Sequence, residues 1–331
     1  MHIPDNYLSP STCAVMGAAM IPVWAHAVKK VKTELPKEKI PMLGIGAAFS
    51  FLMMMFNVPL PGGTTGHAVG GTMLAILLGP NAACLCVTVA LLIQALIFGD
   101  GGILSFGANC FNMAFVLPFV GFYIYKFINE RFKSKTGNVF AMVFGSYFGI
   151  NVAALCAAIE FGIQPYLFKD SSGAPLYCPY PLSVSIPAMT IPHLAVAGVV
   201  EVLFTVAIVM FIKKVSPGSV YDTGEKKTGA VWGALLLLAA LTPLGLLASG
   251  TAWGEWGTDE LSKLGYSPKG MLNGFSFDAL MPDYSVSGLP EVAGYILSAV
   301  VGCALLVIIF KLIGMISEKR KSNTGSSEKQ A

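Results

Sequence analysis

The sequence predicts an all-α polytopic membrane protein of about nine transmembrane helices, each built on the ~20 apolar residues that a bilayer crossing needs. Three observations lead there. The 331 residues are 55% hydrophobic and 12% charged, with a mean hydropathy of +0.69, whereas a soluble domain carries roughly 25% charged residues. Apolar runs recur at 9–28, 40–57, 67–80, 82–99, 109–127, 138–161, 190–213, 229–249 and 291–316. Finally, all of the 21 basic residues except Lys169, Lys263 and Lys269 follow the first, fifth, seventh or ninth run. Lys and Arg are retained on the cytoplasmic side, so the N-terminus is expected outside and the C-terminus inside. The net charge of +3 is accounted for by this topology and gives no support to a nucleic-acid partner.

The first run ends in the cluster Lys29, Lys30, Lys32, Lys37 and Lys39, with His26 just before it at the interface. Runs three and four are short and are separated by Gly79, Pro80 and Asn81, a turn that a helix does not easily continue. The fifth, sixth and seventh runs complete a seven-helix core spanning 1–215. Residues 216–228, rich in Pro, Gly and charge, read as a cytoplasmic linker. The remaining two runs bracket an outer loop at 250–290 and form an appended two-helix unit over 229–316. Residues 317–331 are polar and are expected to be disordered. Seven cysteines, an odd count placed mostly in apolar runs, imply no disulfide framework. Cys84 and Cys86 point about 200° apart on a helix and read as packing residues.

Chemistry concentrates at the N-terminus. There is no basic stretch of the kind that opens a signal peptide, and His2 is too bulky for ready removal of the initiator methionine, so Met1 is expected to persist with a free amine. The Met1 amine, the His2 amide and His2 Nδ1 close a five- and a six-membered chelate ring and leave one corner of a square plane open, a geometry suited to Ni(II) or Cu(II). His67, on the glycine-rich stretch VPLPGGTTGHAVGGT, is the candidate for that corner. Metal-bound imidazoles usually donate their other N–H to an oxygen. Candidate partners are Asp5, Thr64, Thr65, Gln94, Asp100, Asn109 and Asn112, each of which could instead cap a helix or close a turn.

His193 and Glu201 share one apolar run. An isolated charge inside a membrane is costly, so Glu201 requires a partner or must be neutral. An accessory relay is one reading and an interhelical hydrogen bond the other, which the 80° between the two positions favours. The sequence lacks GxxxxGK[ST] and HExxH.

These residues also form a family pattern. MHIPDNYLSP, PGGTTGHAVGGT and FGDGG followed by GANCFNM resemble the substrate-binding membrane subunits of energy-coupling-factor cobalt and nickel importers, over residues 1 to 215. TPLGLLASGTAWGEW with MPDYSVSGLPE resembles their small two-helix companion subunit, here fused in one chain. The resemblance implies a transported Ni2+ or Co2+ held by Met1, His2 and His67, with no permanently bound cofactor and no enzymatic activity. It implies residence in the plasma membrane of a bacterium or archaeon, with membrane lipid, a transmembrane coupling protein and two cytoplasmic ATPase subunits as partners. Gly44 and Ala48 are small residues that would allow a close approach by the coupling protein. The sequence departs from the family's MHIPDG at Asn6, but Asn tolerates positive φ, so the turn is expected to persist. An ATP-independent metal channel or a membrane metal sensor is the alternative.

Overall fold

A computed structural model describes residues 1–36, 40–61, 63–215, 228–248, 250–263, 265 and 267–327. Among these, seven helices are long and apolar enough to cross a membrane: α1 (Pro10–Glu34), α4 (Pro80–Phe98), α5 (Phe106–Arg131), α6 (Lys135–Leu167), α7 (Leu182–Val215), α8 (Gly229–Leu247) and α9 (Glu291–Ser327, apolar to Ile316). Two shorter helices, α2 (Ile40–Met54) and α3 (Gly71–Leu78), fill the second and third apolar runs. The all-α multi-pass architecture is as expected, but the third run is no complete span. Eight residues of helix reach only about 12 Å at 1.5 Å per residue, well short of the ~30 Å hydrocarbon core. The rest of that run is taken by the non-helical segment around His67.

Local chemistry sets the helix ends. Ser9 caps α1, its Oγ accepting the Thr12 N–H at 3.1 Å, and Pro10 occupies the first turn, where its missing N–H costs nothing. Gly79, at φ 88, ends α3 and starts α4, a conformation that side-chain-bearing residues avoid. Three helices carry a π turn, at Gln94–Phe98, Cys110–Val116 and His193–Ala197. Such turns re-aim side chains and occur often at functional sites.

Between α2 and α3 the chain forms a small antiparallel hairpin, β1 (Val58–Leu60) with β2 (Thr64–Gly66). The appended α9 lies along α2. A Cβ on Gly44 would meet the Val307 backbone at 3.0 Å, and Ala48 is fully buried. That small-residue face, expected to receive a coupling protein, is therefore covered by the chain's own last helix. Most of the expected linker, 216–227, lies outside the described residues. α9 is assigned as far as Ser327, and residues 328–331 of the tail expected to be disordered lie outside the described set.

Candidate metal centre

The N-terminal segment is pulled into the bundle by its own backbone. The Ile3 carbonyl accepts from Ser105 Oγ (2.5 Å), Asn109 Nδ2 (3.0 Å) and the Gly102 N–H (2.9 Å), while the Ile3 N–H donates to Asn109 Oδ1 at 2.7 Å. Asp5 accepts from the amides of Ile103 and Leu104 at 3.1 and 2.7 Å. Asn6 adopts φ 68, so the turn persists without glycine. Further along, the Ser9 N–H donates to Gln164 Oε1 at 3.0 Å. These anchors leave Met1 4% and His2 1% exposed.

The His67 segment is anchored just as firmly. Glu201 accepts from the amides of Val69 (2.7 Å) and Gly70 (3.0 and 3.1 Å), and Ser50 Oγ donates to the Val69 carbonyl at 2.6 Å. His67 Nδ1 lies 3.1 Å from the Ala68 carbonyl, which leaves Nε2 buried without a hydrogen-bond partner. The ring centroids of His67 and His2 are 4.9 Å apart, tilted by 33°. Burial, then the neighbouring His2 and the terminal amine, push His67 well below the usual imidazole range.

Asp100 Oδ1 lies 2.8 Å from His2 Nδ1, an ion-pair distance, yet the contact is off the line of a hydrogen bond, so both His2 ring nitrogens are without one. Burial alone would raise the Asp100 carboxyl, but the neighbouring His2, and after it His67 and the Tyr284 hydroxyl, outweigh it and hold Asp100 below the usual carboxylate range. The Met1 amine pairs with Glu255 Oε1 at 3.2 Å. Amine, imidazole and imidazole thus meet in one buried place. Among the described residues, no group of three or more His, Cys, Asp or Glu side chains forms a cation cage.

Of the expected ring-orienting residues, Asp100 faces His2, and Gln94 Nε2 donates to Asp100 Oδ2 at 3.1 Å. Asn109 and Asp5 shape the N-terminal segment, and their hydrogen bonds go to backbone groups. The other placements differ from expectation. Thr64 and Thr65 donate to the carbonyls of Thr251 and Gly250 at 3.2 and 3.1 Å, because that extended segment runs beside β2 with carbonyls that need donors. Asn112 Nδ2 donates to Glu160 at 2.8 Å, turned away by the π turn that carries it. His193 Nδ1 meets its own helix at the Met189 carbonyl, and Glu201 pairs with the His67 segment, so these two do not form a relay with each other. His26 is exposed.

Sequence reading passes over two residues of the appended unit, Glu255 and Tyr284. Tyr284 Oη donates to Asp100 Oδ2 at 2.5 Å and accepts from Gln94 Nε2 at 2.8 Å. The signals available were an acid between tryptophans in TAWGEWG and a tyrosine inside the companion-like MPDYSVSGLPE.

Two family models match the chain: a cobalt uptake substrate-specific transmembrane region over residues 2–219 and a PDGLE domain over residues 227–319. The chain is 54% identical to a "probable fused nickel transport protein LarMN" of Lactiplantibacillus plantarum, over 94% of this chain and 97% of that one. It is 44% identical to the "fused nickel transport protein NikMN" of Rhodobacter capsulatus, over 93% and 95%. A crystal structure of a truncated transition metal transporter aligns with a TM-score of 0.61 at 56% identity, covering 65% of this chain and 99% of that one.

Proposed function

The chain belongs to the cobalt uptake substrate-specific transmembrane family, and from that premise we propose that it captures a divalent transition-metal ion, Ni2+ or Co2+, for uptake across the cell membrane. The relatives fused in the same way carry nickel transport in their names, which favours Ni2+. The observation that carries the reading is the buried, unpartnered Nε2 of His67 beside the His2 ring. An orphaned buried acceptor costs free energy, and a metal would satisfy it.

The metal is held by the Met1 amine, the His2 amide, His2 Nδ1 and His67 Nε2. To complete the chelate the amine leaves Glu255 and loses a proton, the amide loses its own, and His2 Nδ1 offers the in-plane position that the Asp100 contact leaves unused. Capture therefore releases protons, and acid opposes it. The N-terminal side faces outward, and the work of release comes from two ATPase subunits acting through a transmembrane coupling protein, as the resemblance implies.

The test is a Ni(II) titration of the purified full chain with its native N-terminus, beside a variant with one extra residue before Met1 and a His67→Ala variant. One ion bound by the native chain and lost in both variants supports the reading. Equal binding in all three, or none in the native chain, sinks it.

A further inference from the structure

Tyr284 belongs to the appended unit, yet its hydroxyl ends on the carboxylate that faces His2. Its position is held at several points. The ring stacks on Phe98 with centroids 4.8 Å apart, and Ser298 Oγ donates to its carbonyl at 2.8 Å. The backbone bears an unfavourable conformation there, with Asp283 at φ 52 and Tyr284 at φ 58. A bulky side chain at positive φ is a real outlier, and such residues persist only where the surroundings over-determine them. The oxygen of Asp100 that Tyr284 and Gln94 occupy is Oδ2, which leaves Oδ1 for His2.

We infer that Tyr284 is a positioning residue for the metal centre: it fixes the Asp100 carboxylate, and through it the ring of His2, from the fused unit. This rests on the ligand set proposed above and deepens it. The appended unit then contributes to the ligand geometry directly, and docking of the unit and metal affinity are linked through one hydroxyl.

The experiment is a double-mutant cycle on the full chain in detergent, using Ni2+ alone as probe and competition with a chromophoric chelator to read affinity. Tyr284→Phe keeps the stacked ring and removes only the hydroxyl. It should lose roughly 10- to 100-fold in affinity, the usual cost of removing an outer partner of a metal ligand, with a shift in the visible d–d band of bound Ni(II). Asp100→Asn should lose a similar factor, and the double variant should be no weaker than Asp100→Asn.

Tyr295→Phe removes another hydroxyl of the same unit, one that donates to the Met55 carbonyl at 2.8 Å, and should leave affinity and band unchanged. Unchanged binding in Tyr284→Phe overturns the inference. So do losses that multiply in the double variant, or an equal loss in Tyr295→Phe, since either would make the effect one of packing. If the unmutated chain fails to bind one Ni2+, the ligand set itself is overturned, a result distinct from these.

Discussion

Glu201 and Gly70 are bound to each other at both carboxylate oxygens, the Gly70 N–H lying 3.1 Å from Oε1 and 3.0 Å from Oε2. Gly70 has φ 75, and a Cβ there would press on Met53 Sδ, so the position requires glycine. The pairing ties the middle of α7 to the turn three residues after His67. A buried carboxylate that the sequence marks as costly thereby fixes the segment that carries His67.

Replacing Glu201 by Ala strands the buried amides of Val69 and Gly70, at about 1–3 kcal/mol for each. Thermal unfolding in detergent should show the loss, and Ni(II) affinity should fall with it as His67 is released. Glu201→Gln keeps one acceptor oxygen and should fall between. Wild-type affinity in Glu201→Ala would mean that the segment holds its shape without the carboxylate.

Asn6 exchanges two hydrogen bonds with the Phe275 backbone, its Nδ2 donating at 2.8 Å and its Oδ1 accepting at 2.9 Å. Asn6→Gly preserves the positive-φ turn and removes both bonds, which are exposed and contribute about 0.5–1.5 kcal/mol each at most. Metal affinity should stay within severalfold of wild type. Hydrogen exchange at Phe275 should rise, and protection equal to wild type would show that the contact does not hold the outer loop.

In the ligand set proposed above, Glu255 competes with the metal for the Met1 amine, since the amine cannot hold both. Glu255→Gln should therefore raise Ni(II) affinity near neutral pH, by less than tenfold because a partly exposed pair is worth only about 0–1 kcal/mol. Weaker binding in this variant would instead assign Glu255 a supporting role in the metal-bound state.

The depressed affinity of His67 for protons makes the metal-free fold sensitive to acid. Below the ordinary imidazole value near 6.5 the unfolded chain takes up a proton that folded His67 refuses, so the unfolded state gains. Stability contributed by neutral His67 is complete above that value and is lost as pH falls toward the lowered folded value. The unfolding temperature of the metal-free protein should drop between pH 7 and 5, and His67→Gln should flatten the slope. An unchanged slope would assign the acid sensitivity to other groups.

Hydropathy made the architecture legible, since every long helix coincides with an apolar run. Helix length was less legible, because an apolar run reads the same whether it is helical, as in α4, or partly extended, as around His67. At the candidate centre, the meeting of His2 and His67 was readable from residue type and glycine context. Thr64, Thr65 and Asn112 are as polar and as near in sequence as Asp100, yet they turn elsewhere, and nothing local distinguishes them.

By itself the sequence determined the membrane class, the order of the helices and the family, and it named the nitrogen donors of the proposed site, since each is a property of composition, periodicity or a contiguous motif. Tertiary structure alone decided what surrounds those donors. Glu255 reaches Met1 across 254 positions and Tyr284 reaches Asp100 across 184, distances in sequence at which only packing fixes which groups meet. The return of α9 along α2 brings the appended unit, and with it the tyrosine, to Asp100.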